Sequence, residues 1–481
     1  MNNAELHNSL QINVKKIKDS IQNKQNLTVR KVRGNSNDLT INLLFLEGIA
    51  KTDNIQEYII KPLKSCSITL NKGESLIDKI AVEVIETANV NITSTFVEII
   101  DSILSGSTVL LIEGQDRGII AKTAMLKERS IEKATSERSP RGPMVGFTEK
   151  LETNVSLILG MMKTPFLSIE SKDIGNYSKT KVSMLFLRNI VDEDVLETVR
   201  DLIDRISVNY ILEARLITEE IDGKYSLFNL SDESERPDVI ISSLYEGKVI
   251  IFIDGNPYGI ILPGLFVSSI QSPDEYYQKN GRFTIRLIRI FAFLMSIYLP
   301  AIYVVMSKFY ADDLPGKISK TLFKGDELIP TFWSMLLLII LIVMLIDATF
   351  RVPQNAIILI SLVATIVIGE TAVSAKLIHP ASLITIGITF LASFLIINKG
   401  MRAPIYTLRL LFLFIGYFFS FFGLVIATTI LILYMASLRS VGVPFLSPII
   451  PFRMEEFKDT FYRGRLAKLN NIQHDYPNTN S

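Results

Sequence analysis

IFAFLMSIYLPAIYVVMS, from Ile290 to Ser307, is an uncharged run of 18 residues. At about 1.5 Å per residue it reaches roughly 27 Å as a helix, close to the hydrocarbon thickness of about 30 Å. Four more runs follow with short polar breaks: Leu328 to Ile346, Val352 to Gly369, Leu377 to Asn398 and Leu410 to Leu438. Core helices of a soluble domain carry a polar stripe, whereas these runs are apolar all round. The predicted architecture is a helical transmembrane domain over 290–438, with a tail at 439–481.

Just upstream, the juxtamembrane segment 271–289 carries Tyr276, Tyr277, Arg282, Arg286 and Arg289. Aromatic residues suit the headgroup level and basic ones mark the cytosolic side, so the N-terminal part is predicted to face the cytosol. Lys399, Arg402 and Arg409 mark the loop before the last run as cytosolic, and Arg439, Arg453, Arg463 and Arg465 do the same for the tail. Both cannot hold if Leu410 to Leu438 crosses once. Its 29 uncharged residues form either one tilted span or a pair of segments broken near Gly416 or Gly423. Four, five or six crossings remain open, with a cytosolic tail favoured.

The N-terminal part has a different texture. Residues 1–36 read as a polar lead-in with a short helix. From Leu39 the run LTINLLFLEG has strand character, a helical stretch follows near Gly73 to Thr87, and TVLLIEG at Thr108 to Gly114 is a second strand. This gives an α/β subdomain at 37–126, a polar linker at 127–140 and a second α/β subdomain at 141–270. In the second, Val195, Val199, Leu202 and Ile203 share a helix face, and VIIFIDG at Val249 to Gly255 is a strand. The two subdomains match at a constant offset of 141 residues: Gly106 with Gly247, Glu113 with Asp254, Gly114 with Gly255, Gly118 with Gly259. In each, an apolar strand meets an acidic-Gly turn and a second strand returns. The fold class is thus an α/β N-terminal region of two tandem subdomains followed by an α-helical transmembrane domain. A fragment of residues 36 to 270 is expected to fold alone.

The totals exclude several functions. A net charge of +1 argues against nucleic-acid binding. Cys66, the single cysteine, cannot form an internal disulfide, and the first twenty residues lack the apolar core of a signal peptide. His7, His379 and His474 are too scattered for a metal cluster or a nucleophile-His arrangement, and PGKIS near Lys317 lacks the upstream glycine of a phosphate loop. No enzyme activity, cofactor or metal is expected.

Five motifs occur in order: RGPMVGFTEKLETN at Arg141 to Asn154, ERPDVIISSLYEGKV at Glu235 to Val249, QSPDEYY at Gln271 to Tyr277, LPAIY at Leu299 to Tyr303 and ASLRSVGVPFLSP at Ala436 to Pro448. Together they resemble the GerA-type spore germination proteins, A subunit. The resemblance implies a multi-pass protein of the inner spore membrane of an endospore-forming bacterium. It also implies a nutrient germinant receptor shared with a transporter-like B subunit and a lipoprotein C subunit, and homo-oligomerisation of A subunits into an ion path, with the nutrient recognised mainly by B. The chain departs from the family at Met144 and Val145, where a charged pair is usual, and at Ile339, Val343 and Ser374, where carboxylates are usual.

Read from the residues themselves, Arg141, Gly142 and Pro143 form a Pro-ordered joint. Pro237 precedes a helix at Asp238, and Glu235 and Arg236 are candidates for an interface pair. Pro300 removes one backbone hydrogen bond from the first run and is a candidate gating joint. Glu370, in IVIGETAVSAK, is the clear ionisable residue within the oily region, either facing a pore or snorkelling at the interface. A nutrient-gated channel subunit is the leading function. A sporulation membrane protein with a scaffolding or accessory transport role is the other.

Overall fold

The computed structural model describes residues 5–33, 39–66, 75–124, 145–211, 213–223, 226–271, 282–323, 325, 327–349, 351, 353, 356, 369–396 and 398–452. The 127–140 linker, Arg141, Gly142, Pro143, Tyr276, Tyr277, nearly all of the third apolar run and the tail from 453 lie outside these residues. The described residues up to 223, with 233–263, form one compact unit; 226–232 with 264–452 form a second.

The first unit repeats one α/β arrangement. Its first copy contains α1 (Leu10–Ser20), β1 (Leu27–Arg33), β2 (Thr40–Leu46), β3 (Val90–Thr93), α2 (Phe96–Leu104), β4 (Thr108–Ile112) and β5 (Gly118–Ala121). The second contains α3 (Leu151–Met161), β6 (Leu167–Ile174), β7 (Thr180–Leu187), α4 (Glu193–Arg205), β8 (Asp232–Ser234), α5 (Pro237–Tyr245), β9 (Val249–Ile253) and β10 (Gly259–Leu262). The sheets have the same strand order, β1-β2-β4-β5-β3 and β6-β7-β9-β10-β8. The first is antiparallel throughout.

The 141-residue offset seen in the glycines extends to backbone hydrogen bonds. Leu6 N donates to Ser94 O at 2.8 Å and Phe147 N to Glu235 O at 2.9 Å; Gly114 N donates to Asn8 O at 3.0 Å and Gly255 N to Glu149 O at 2.8 Å. Asn13 Oδ1 accepts from His7 N at 2.9 Å while Asn154 Oδ1 accepts from Thr148 N at 2.8 Å. Each asparagine returns a bond of 2.6 Å to the carbonyl of the same residue. Each thus closes the loop leading into its helix. Gly114 and Gly255 turn the hairpins with φ of 78° and 89°, a conformation that costs a side-chain-bearing residue energy.

The start of the chain corrects the expectation of a lead-in at 1–36. Leu10, Asn13 and Ile17 are buried on one face of α1, and β1 pairs with β2 along its whole length. Few apolar residues are needed when they fall at helical spacing. Ile17 and Ile21 are fully buried, each burial worth about 1.5–3 kcal/mol. They join a cluster that also contains Ile99, Ile103 and Leu111 from the first copy and Ile158, Leu185 and Phe252 from the second. The copies therefore share a core. The outer face of the first sheet is covered separately by helical stretches at 52–65 and 76–84. In α4, Val195, Leu196, Val199 and Ile203 are buried, and Asp192 Oδ1 caps it by accepting from Asp194 N and Val195 N.

The second unit is helical: α6 (Phe266–Ile270), α7 (Arg282–Phe309), α8 (Gly316–Leu322), α9 (Thr331–Thr349), α10 (Pro380–Phe394) and α11 (Arg402–Ser437), then a short hairpin of β11 (Arg439–Ser440) and β12 (Val443–Pro444). Among the described residues, three helices are long and apolar enough to span a membrane, containing the first, second and fifth runs; α10, in the fourth run, has 15 residues.

α11 is two helices. Ser420, with φ 58° and ψ −158°, is not helical, and the contacts of the two halves run in opposite senses along α7. Arg409 bonds to Ser296, Phe412 meets Tyr298 at 4.8 Å, Lys308 Nζ donates to Tyr417 O at 2.8 Å, and Tyr310 meets Phe421 at 5.4 Å. Beyond the break the direction reverses: Thr428 Oγ1 is 3.0 Å from Tyr298 OH, and Phe445 O accepts from Phe266 N at 2.9 Å. Ser440 Oγ bonds both Leu230 O and Gly264 N. Asn398, just before α11, donates to Asp232 Oδ1 at 2.8 Å and Ser269 Oγ at 3.1 Å. Both ends of α11 therefore lie where the chain enters the bundle, with Ser420 at the far end.

The remaining helices fit this polarity. Ser307 Oγ is 2.9 Å from Thr331 Oγ1, so α9 begins at the far end, and Lys376 O accepts from Leu328 N at 3.0 Å there. α10 then runs back, from Ser382 beside Tyr303 to Ser393 beside Arg409. The described helices from α7 to α11 thus start and finish at the same end of the bundle.

Candidate functional site

The site grows from one missing hydrogen. In α7 the amide of residue 300 would donate to the carbonyl of Ser296, but Pro300 has no N–H. That carbonyl is buried in the bundle, and an unmet buried acceptor is costly. Arg409 supplies the donor: its Nε donates to Ser296 O at 2.7 Å. Its Nη2 donates to Ser393 Oγ at 2.5 Å, and its Cζ stands 4.4 Å from the Phe390 ring centroid and 5.3 Å from that of Tyr406. One guanidinium thus ties α7, α10 and α11. Arg409 is fully buried, and no carboxylate among the described residues pairs with it.

A hydroxyl-bearing face of α10 leads to it. Ser382, Thr385 and Thr389 are buried. Thr385 Oγ1, Thr389 Oγ1 and Ser393 Oγ donate to the carbonyls four residues earlier at 2.8, 2.7 and 2.9 Å. At the far end Ser382 Oγ donates to Tyr303 OH at 3.4 Å, and Tyr303 OH donates to Leu322 O at 2.6 Å. His379 Nε2 and Glu327 Oε1 are 3.8 Å apart nearby. Chemically this is a polar seam through apolar helices, with a fixed cation near the entry end.

Of the residues expected from the sequence, Pro300 falls here and the others fall elsewhere. Pro300 is buried at the site. Glu370 is exposed at the far end, two residues before Ala372, which packs with Tyr303, Phe332 and Met335. It is not the sole ionisable residue of the oily region, because Arg409 is deeper. Arg409 does not belong to a solvated basic loop, although Lys399 and Arg402 are exposed. Arg286, expected in the juxtamembrane basic cluster, is 1% exposed. In the first unit, Glu235, Arg236 and Pro237 are buried, and Arg236 grips Asp238 with Nε–Oδ1 at 3.1 Å and Nη2–Oδ2 at 2.7 Å. That bidentate pair ties the N-cap of α5 to its first turn. Arg409 escaped the sequence reading because runs were bounded by charges, so it became an edge. The signal was there in two parts: a proline mid-run, and Ser382, Thr385, Thr389 and Ser393 at helical spacing in another run.

Comparison with known proteins gives four findings. A family model described as Bacillus/Clostridium GerA spore germination protein matches residues 15–474. Spore germination protein KA of Bacillus subtilis strain 168 is 29% identical over 460 residues, covering 95% of this chain and 84% of that protein. The uncharacterized membrane protein YfkQ of the same strain is 30% identical over 427 residues, covering 88% and 82%. The crystal structure of the N-terminal domain of the A subunit of the Bacillus megaterium spore germinant receptor GerK3 aligns with 55% of this chain and 99% of its own, at 27% identity and a TM-score of 0.43.

Proposed function

Because this chain belongs to the Bacillus/Clostridium GerA spore germination protein family, we propose that it is the A-type membrane subunit of a nutrient germinant receptor. The observation that carries the reading is the extent of the match, 15–474, which takes in the α/β unit and the helical unit together. The activity is assigned to that whole architecture. Several copies assemble in the inner spore membrane, with the N-terminal unit on the cytosolic side, and their helical units enclose an ion path. A transporter-like B subunit and a lipoprotein C subunit complete the receptor and deliver the nutrient signal. Glu370, exposed on a single copy, lines the path at its far end. Pro300, held through Ser296 and Arg409, is a joint where α7 can bend without exposing an unmet carbonyl.

The test is ion flux from liposomes containing the purified chain, alone and with its B and C partners, before and after nutrient addition. Nutrient-dependent cation release with all three subunits is expected. Flux that is absent under every condition, from correctly inserted protein, rejects the channel reading and favours a scaffolding role.

A further inference from the structure

Arg409 keeps its charge at any physiological pH, because a guanidinium does not deprotonate in that range. A fixed charge inside an apolar bundle needs a counter-charge or a full set of acceptors. Nε and Nη2 have theirs in Ser296 O and Ser393 Oγ. Nη1 is buried and has no hydrogen-bond partner among the described residues. The rings of Phe390 and Tyr406 do not satisfy it, since ring faces attract the cation as a whole whereas an N–H needs an acceptor along its own bond.

From this geometry we infer that Arg409 Nη1 holds a small monovalent anion, a halide, between α7, α10 and α11. One unpartnered terminal nitrogen suits a spherical ion. An oxyanion in the two-pronged mode would need a second N–H on the same edge, and Nη2 already gives one of its two to Ser393 Oγ. A single negative charge neutralises the site, whereas phosphate would leave an excess. The inferred ion completes the joint at Pro300: it fixes the guanidinium that caps the freed carbonyl. The site stands independently of the germinant-receptor reading, because it depends only on the folded chain.

The probe is chloride, exchanged for gluconate at constant ionic strength, with the purified full chain in lipid nanodiscs. Stabilisation by a bound ion follows its concentration relative to the dissociation constant. The unfolding temperature of the wild type is expected to rise saturably with chloride, and Arg409→Gln to show no such rise. Equal unfolding temperatures of the wild type in chloride and gluconate overturn the inference, leaving water at Nη1. So does a chloride response retained in Arg409→Gln, which puts the ion elsewhere. Should that variant fail to fold, the linewidth of the chloride NMR signal decides on the wild type alone. Excess broadening that iodide displaces supports the site, and its absence overturns it.

Discussion

At the scale of single residues, Pro300 was legible and its partner was not. A proline inside an apolar run announces a carbonyl without a donor, but sequence does not say what reaches it across 109 positions. The pairing predicts coupling. Pro300→Ala restores an amide that donates to Ser296 O, so the loss of Arg409 should cost less in that background. A double-mutant cycle on unfolding in detergent, with Arg409→Leu, is expected to give an interaction of about 0.5–3 kcal/mol; additive effects would mean that the two do not share the carbonyl. Glu370 makes a separate prediction. It is exposed on one copy, so it acts only if assembly surrounds it, and a carboxylate ring at a pore mouth favours cations. Glu370→Gln is expected to lower cation conductance and slow ion release during germination at unchanged abundance. Wild-type flux would return it to a snorkelling role at the membrane surface.

At the scale of elements, the hairpins β4–β5 and β9–β10 and the long apolar helices could be read directly, because alternation, acidic-Gly turns and run length are local signals. The fold-back of α11 was one of two open readings, with a break expected near Gly416 or Gly423; its position at Ser420 could not be read, since serine is an ordinary residue and here takes a conformation that glycine prefers. Such a backbone costs on the order of 1–3 kcal/mol for a residue with a Cβ. Ser420→Gly should therefore raise stability by about 1 kcal/mol, and Ser420→Val should lower it by more, both measured by thermal unfolding in nanodiscs. The fold-back also makes a prediction about sidedness. In a Cys66→Ser background, Lys399→Cys and Arg439→Cys are expected to react with an impermeant maleimide from the same face of the membrane. Labelling from opposite faces would require α11 to cross once.

At the scale of whole units, the tandem α/β plan was visible in the 141-residue offset, but the shared core was not. Leu6, Leu10, Ile17 and Ile21 are scattered among polar residues, and they are buried in a cluster drawn from both copies. This changes what a truncation should do. A fragment of residues 5–263 is expected to melt as one cooperative transition by circular dichroism. A fragment beginning at residue 36 loses α1 and β1 and should be strongly destabilised, because each buried Leu or Ile removed costs about 1.5–3 kcal/mol. Independent melting of the two copies would contradict a common core.

The bond from Ser440 to Leu230 spans 210 positions, and that distance is also a delay. A ribosome adding roughly 5–20 residues per second needs on the order of 10–40 s to make the second partner after the first. For that interval the direct bond from Gly264 N to Leu230 O, 3.0 Å long, stands without the Ser440 hydroxyl that meets both of its ends. The seat for the hairpin after α11 is therefore made long before the residue that fills it.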